Sequence, residues 1–309
     1  MSQLPPLAPS LAGSAAALPP APAPVAATAS APAPVATPTP PTPKRRRTGF
    51  WTVRAPISRR AYWVLAVTGL VTPLLMWAAL AAWGGMDPTF MPSPLAVLSK
   101  TWDWALENNL LEDMGISVYR VVAGFVLSAV IALPLGLLIG SFRSVQALLE
   151  PLTDLIRYMP AVAFIPLVML WVGIGEGSKI AIIFIGTFFQ MVLMVAEDVR
   201  RVPAAQVEAA QTMGASRWEL VEKVILPSAK PALLDTLRIT MGWAWTYLVV
   251  AELVAANSGL GYAILRAQRF LQTDTIFAGI IVIGLIGLVT DQLFRWAHRR
   301  AFPWLYLKG

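Results

Sequence analysis

The chain has 309 residues, 57% of them hydrophobic and only 13% charged, and its formal net charge is +7. Soluble domains carry charge at about a quarter of their positions, so this composition excludes an ordinary soluble fold. With no cysteine and a single histidine, His298, it also excludes disulfides, thiolate or histidine-cluster metal sites and histidine-dependent nucleophile triads.

Residues 1–43 are almost entirely Ala, Pro, Ser, Thr and Val, without one charged side chain. Their repeated prolines remove the backbone donors that helices and strands need, which predicts a disordered, partly polyproline tail. A secretory signal places its basic residues before an unbroken apolar helix, whereas here the basic cluster 44–47 follows a proline-broken stretch, so the tail is expected to stay on the mature protein. The expected division is a 1–60 tail with a basic membrane-proximal end and a 61–309 membrane domain.

Six apolar segments follow, at about 62–83, 116–140, 161–172, 180–196, 233–255 and 277–294. Read as crossings of a ~30 Å hydrocarbon core, they make the chain all-α and polytopic with six transmembrane helices. The third is the shortest, preceded by Pro160 and containing Pro166. Basic residues in 44–60 and 295–308 flank the first and last spans and predict cytoplasmic N- and C-termini, in agreement with an even span count. Positive charge in those places is a membrane-orientation signal, not a nucleic-acid-binding surface. Asp87, Asp103, Glu107, Glu112 and Asp113 against Lys100 suit an external loop, while Arg266 and Arg269 in a later external loop run against the rule. Asp291 is expected to be solvated or paired with Arg295, and His298 to face solvent or headgroups.

This topology leaves the connection 198–230 in the cytoplasm. Residues 206–213 have helix-forming composition, Gly214 permits the positive φ that ends a helix, and Ser216 with Glu219 has capping-box spacing. Two short helices meeting at a glycine are therefore predicted, a hairpin projecting from the membrane.

Glu208-Ala209-Ala210, three residues, Gly214, nine residues and Val224-Ile225-Leu226-Pro227 resemble the cytoplasmic loop of ABC importer permeases, whose pattern differs only in preferring Ile at the position of Val224. A second set, Pro160, Ala163, Ile165-Pro166-Leu167, Gly173-Ile174-Gly175-Glu176-Gly177-Ser178-Lys179, Glu252 and Gly259-Leu260-Gly261, is similar to the permeases for nitrate, taurine, aliphatic sulfonates or bicarbonate, from the second span onward. The resemblance implies a type I ABC importer permease fold in the bacterial inner membrane. It implies that Glu208, Ala209, Ala210, Gly214, Leu226 and Pro227 form the coupling contact with an ABC ATPase dimer. A periplasmic or lipid-anchored solute-binding protein and a second copy of the chain are the other implied partners. ATP and Mg would be bound by the ATPase, so the chain itself would hold no cofactor and not be an enzyme.

The glycine-rich run 173–179 lacks the Gly-Lys-Ser/Thr ending of a phosphate loop and reads as a tight external turn. Glu252 lies well inside the fifth span, where a carboxylate either lines a path or is held by a neighbouring span. Thr240, Trp243, Trp245, Thr246 and Tyr247 in the same span carry donors suited to a passing oxyanion. Gly136 and Gly140 allow close helix approach. An ion-coupled secondary transporter is the alternative; it should show inverted repeats and would leave the hairpin unexplained.

Overall fold

The structure, a computed structural model, describes residues 57–306 apart from 86 and 108. The expected disordered tail and its basic cluster therefore lie almost wholly outside the described residues. In chain order the helices are α1 (Arg59–Ala82), α2 (Pro94–Glu107), α3 (Leu110–Ser141), α4 (Arg143–Arg157), α5 (Ile165–Val172), α6 (Glu176–Arg200), α7 (Ala204–Thr212), α8 (Arg217–Glu219), α9 (Leu226–Ala255), α10 (Leu260–Arg269) and α11 (Thr273–Ala301). Two 3-10 turns and one π-helical stretch complete the regular structure; among the described residues all of it is helical.

The core is the seam between α3 and α6. Gly124, Ser128, Ala132, Gly136 and Gly140 recur every fourth residue, so they form one ridge of small side chains down α3. A Cβ at Gly124 would lie 2.8 Å from the Ile183 Cβ, and one at Gly136 or Gly140 would lie 2.6 Å from the Cβ of Val195 or Val199. Between them the hydroxyls of Ser128 and Thr187 are 2.7 Å apart. Each step down α3 meets an equal step down α6, so the two helices run parallel. A parallel pair forces the intervening chain to return across the bundle.

That return is a broken span. Glu150 on α4 pairs with Arg200 at one end of α6 at 3.1 Å, and the far end of α5 meets the other, where a Gly177 Cβ would lie 3.1 Å from Val172. The two limbs, Arg143–Arg157 and Ala161–Val172, are bent by 90°. The third expected span, 161–172, is thus only the second limb of this crossing. Pro160 precedes the 3-10 turn Ala161–Phe164, and Pro166 sits in the first turn of α5, where a missing amide hydrogen costs no helix bond.

By length and composition α1, α3, α6 and α11 suffice to cross a membrane, and the bent pair makes a fifth. The remaining expected span, 233–255, lies in α9, which is more polar because it carries Asp235, Arg238 and Glu252. Its packing supplies what hydropathy lacks. Thr236 bonds Asp198 at one end of α6, and Tyr247 packs on Gly186 nearer the middle, so α9 runs antiparallel along α6. α11 returns beside α9, joined by a hydrogen bond from the Trp245 indole to Thr290 at 3.2 Å and by Arg238 to Asp291 at 3.5 Å. Asp291 also pairs with Arg295 at 2.7 Å. His298 departs from expectation: it is 7% exposed, packed on Phe302, with Tyr306 2.9 Å from its Nδ1. The two aromatic rings that follow α11 fold back over it.

Candidate functional site

Three features fall at three depths of the bundle. At the end carrying the C-termini of α3, α6 and α11 lies the predicted hairpin. α7 ends in a Schellman arrangement: Gly214 donates to the Gln211 carbonyl at 2.9 Å and Ala215 to the Ala210 carbonyl at 3.0 Å. Gly214 has φ +86° with open space around its Cα, so its requirement is for backbone conformation and not for room. The predicted capping box is formed: Ser216 N donates to Glu219 Oε2 at 3.0 Å, and Glu219 N to Ser216 Oγ at 3.4 Å. The Lys223 ammonium, 2.9 Å away, and the Ser216 donors hold the Glu219 carboxyl down at about 2.

The π-helical stretch Leu220–Ile225 then leads into α9. Pro227, in its first turn, cannot donate to the preceding turn, and the wider π turn accommodates its ring. Ala210 is buried against the bundle, Leu226 is half-buried, and Glu208, Ala209, Gly214 and Pro227 face outward. Met213 and Trp218 are 82% and 66% exposed, apolar side chains on the same hairpin as the exposed Glu208. Trp218 also meets Phe142, at the junction of α3 and α4, edge-on at 5.6 Å. The hairpin is therefore connected both to α9 and to the start of the broken span.

At mid-depth, where the span breaks, is a cavity of about 270 Å³. Trp243, Thr246 and Tyr247 line it, together with Arg157 and Gln190. Thr240 is elsewhere, fully buried with its hydroxyl donating to the Thr236 carbonyl at 2.9 Å. Trp245 is also turned away, toward α11. The sequence reading missed Arg157 because it placed the residue before the third span and not at its break.

At the opposite end Glu252 is completely buried in an ionic clasp. Arg120 of α3, 0% exposed, donates through Nη1 to Glu252 at 2.6 Å and through Nε and Nη2 to Glu176 at 2.6 and 2.8 Å. Nη1 and Nη2 also reach the Ser258 carbonyl and hydroxyl, so all five guanidinium N–H groups have acceptors. Lys179 adds a second cation to Glu176 at 2.7 Å. Glu252 accepts further from Ser117 at 2.8 Å and from the Gly261 amide at 2.7 Å. Gly259, at φ +103°, lies so close that a Cβ there would sit 2.4 Å from Glu252 Oε1. The turn read from 173–179 thus ends in a charge network. Arg120 was missed as well, although an arginine inside the second apolar segment is itself a signal.

The comparisons with known proteins agree with this architecture. The family described as "binding-protein-dependent transport system inner membrane component" matches residues 132–303. A taurine transport system permease protein of Escherichia coli, TauC, is 35% identical over 256 residues, 81% of this chain and 92% of that protein. A Bacillus subtilis relative, SsuC, named for aliphatic sulfonates transport, is 34% identical over 84% of this chain and 94% of its own length. The bicarbonate transport system permease protein CmpB of Synechococcus elongatus is 27% identical over 76% and 88%. Among solved structures, the MetNI methionine ABC transporter in inward-facing conformations matches with a TM-score of 0.51 at 24% identity, over 60% of this chain and 94% of that one; it shares the fold. The chain belongs to the family of binding-protein-dependent transport system inner membrane components, the permease subunits of ABC importers.

Proposed function

We propose that this permease imports a small oxyanion such as taurine, an alkyl sulfonate, nitrate or bicarbonate, driven by ATP hydrolysed on a separate ATPase dimer. The observation that carries the reading is the hairpin, which offers Glu208, Ala209, Met213 and Trp218 outward while its base is continuous with α9. Exposed apolar side chains and an exposed carboxylate, held on a rigid turn, suit insertion into a cleft of a partner. Its rigidity lets closure of that partner act on α9 as a lever. The hairpin end is then cytoplasmic, with both termini, and Mg-ATP is bound by the ATPase alone.

Among the described residues each chain has one such hairpin, so two copies would serve the two clefts of an ATPase dimer, with the pathway between them. A solute-binding protein would deliver the substrate at the end that carries the clasp. The relatives named for taurine, aliphatic sulfonates and bicarbonate support a small anionic group as the feature recognised. Within this reading Glu252 and Thr240 hold the fold, because both are fully buried and bonded, and Trp243, Thr246 and Tyr247 face the pathway.

The test is reconstitution of the chain in liposomes with its partner ATPase and solute-binding protein, using taurine, methanesulfonate, nitrate and bicarbonate as probes. Uptake of at least one probe should require ATP and persist when ionophores collapse every ion gradient. ATP-independent uptake abolished by the ionophores would instead establish an ion-coupled secondary transporter.

A further inference from the structure

The cavity at the break of the α4–α5 span has a composition that helix packing does not require. Its lining on α6, around Gly186 to Gln190, lies roughly 15 to 20 Å from either end of that helix at ~1.5 Å per residue. The bundle is therefore interrupted at its middle, where hydrocarbon offers backbone groups no partner. Irregular backbone at such a depth persists only where protein buries it or water reaches it. The segment Tyr158 to Pro160 is exposed, beside a cavity, and the residue before it is an arginine.

Among the described residues Arg157 has one counter-ion, Asp154, 2.9 Å from its Nε on the same face of α4, and it donates through Nη2 to the Tyr158 hydroxyl at 2.9 Å. Neither charge is sealed: the two side chains are 30% and 43% exposed. This contrasts with Arg120, whose five donors are all satisfied in a closed network. A partly paired guanidinium in a cavity wall can receive a planar or tetrahedral oxyanion, which it can grip with two parallel hydrogen bonds. Gln190, Trp243 and Thr246 line the same space with a carboxamide, an indole and a hydroxyl. The volume of about 270 Å³ lies just below the usual ~300–1,000 Å³ range of ligand pockets and accommodates a small anion.

We infer that this cavity is a mid-membrane station for the transported anion, with Arg157 as the residue that binds its oxyanion group and Asp154 as the counter-ion the anion displaces. The inference rests on the oxyanion reading proposed above. Competition from Asp154 keeps the station weak, which passage demands: an anion held by an unopposed buried arginine would leave slowly. Because the cavity wall is made by both limbs of the broken span and by α9, movement of α9 at the hairpin would change its shape.

The experiment uses the reconstituted complex with the same four probes, comparing wild type, Arg157→Gln and Arg157→Lys. Uptake by Arg157→Gln should fall at least about tenfold, the loss expected on removing a charged hydrogen-bond partner, while ATP hydrolysis stimulated by the binding protein stays within about twofold of wild type. Arg157→Lys, which keeps the charge and loses the fork, should retain intermediate uptake. Uptake by Arg157→Gln within twofold of wild type overturns this assignment alone. So does loss of both uptake and hydrolysis in both variants, which would make Arg157 a structural residue. Failure of the wild type to take up any probe overturns the oxyanion reading and this assignment with it.

Discussion

Arg120 and Glu252 are each fully enclosed, and their energetics differ from those of a surface pair. Burying both charges costs desolvation, repaid only because every donor of the guanidinium and both oxygens of Glu252 are bonded. Removing one partner leaves the other charge buried and unpaired. Arg120→Met should therefore lower stability by about 3 to 5 kcal/mol, read as thermal unfolding of the purified protein in detergent. Adding Glu252→Met should restore part of that loss, since Glu176 keeps Lys179; a double variant as unstable as the sum of the two singles would refute the pairing. Glu252 was legible in the sequence as an intramembrane charge, and so in principle was Arg120. Their partnership was not, because the two lie 132 residues apart. Periodicity reports faces of one helix and says nothing of which helices meet. Gly259 and Gly261 became explicable only once the carboxylate they crowd against was in place.

At the scale of elements, the α3–α6 seam fixes the rest of the bundle. Its backbone approach depends on glycines whose missing side chains are occupied by Ile183, Val195 and Val199. Gly136→Val should force the helices apart and cost about 1 to 3 kcal/mol, the usual penalty of overpacking. Val195→Ala in the same chain should recover some of it, as measured by thermal unfolding; no recovery would mean that the two residues do not share the contact. The sequence showed Gly136 and Gly140, but the ridge is longer, and Gly124, Ser128 and Ala132 were hidden among ordinary apolar neighbours. The hairpin was the most legible element, because its two ends are local motifs: a glycine with positive φ and a Ser-to-Glu capping box both operate within four residues. The broken span was read as a short straight one, since the amphipathic limb α4 looks polar when its partner face is unknown. The short helices α2 and α10 were likewise read as loops, as their apolar sides are covered by α11.

For the whole molecule, the topology joins three depths along one helix. α9 begins at the hairpin, passes the cavity at Trp243 to Tyr247, and ends at the clasp through Glu252. The clasp ties the far end of α9 to α3 and α6, so under the proposed coupling a push at the hairpin would be resisted there and taken up between the two, next to the cavity. Under the same reading, this geometry is a way for a separate ATPase to drive the chain from outside. On the proposed reading, the drive is applied at the hairpin. The most direct measurement is the yield of ATPase that co-purifies with the tagged chain from membranes, compared between wild type and Glu208→Lys. Glu208 is exposed and its carbonyl, not its carboxylate, serves the helix by accepting from Thr212 at 2.9 Å, so the substitution leaves the hairpin folded. The wild type should bring the ATPase with it, and reversing this charge should remove most of it at equal permease yield. Equal recovery of ATPase by the variant, with hydrolysis still coupled to uptake, would contradict it.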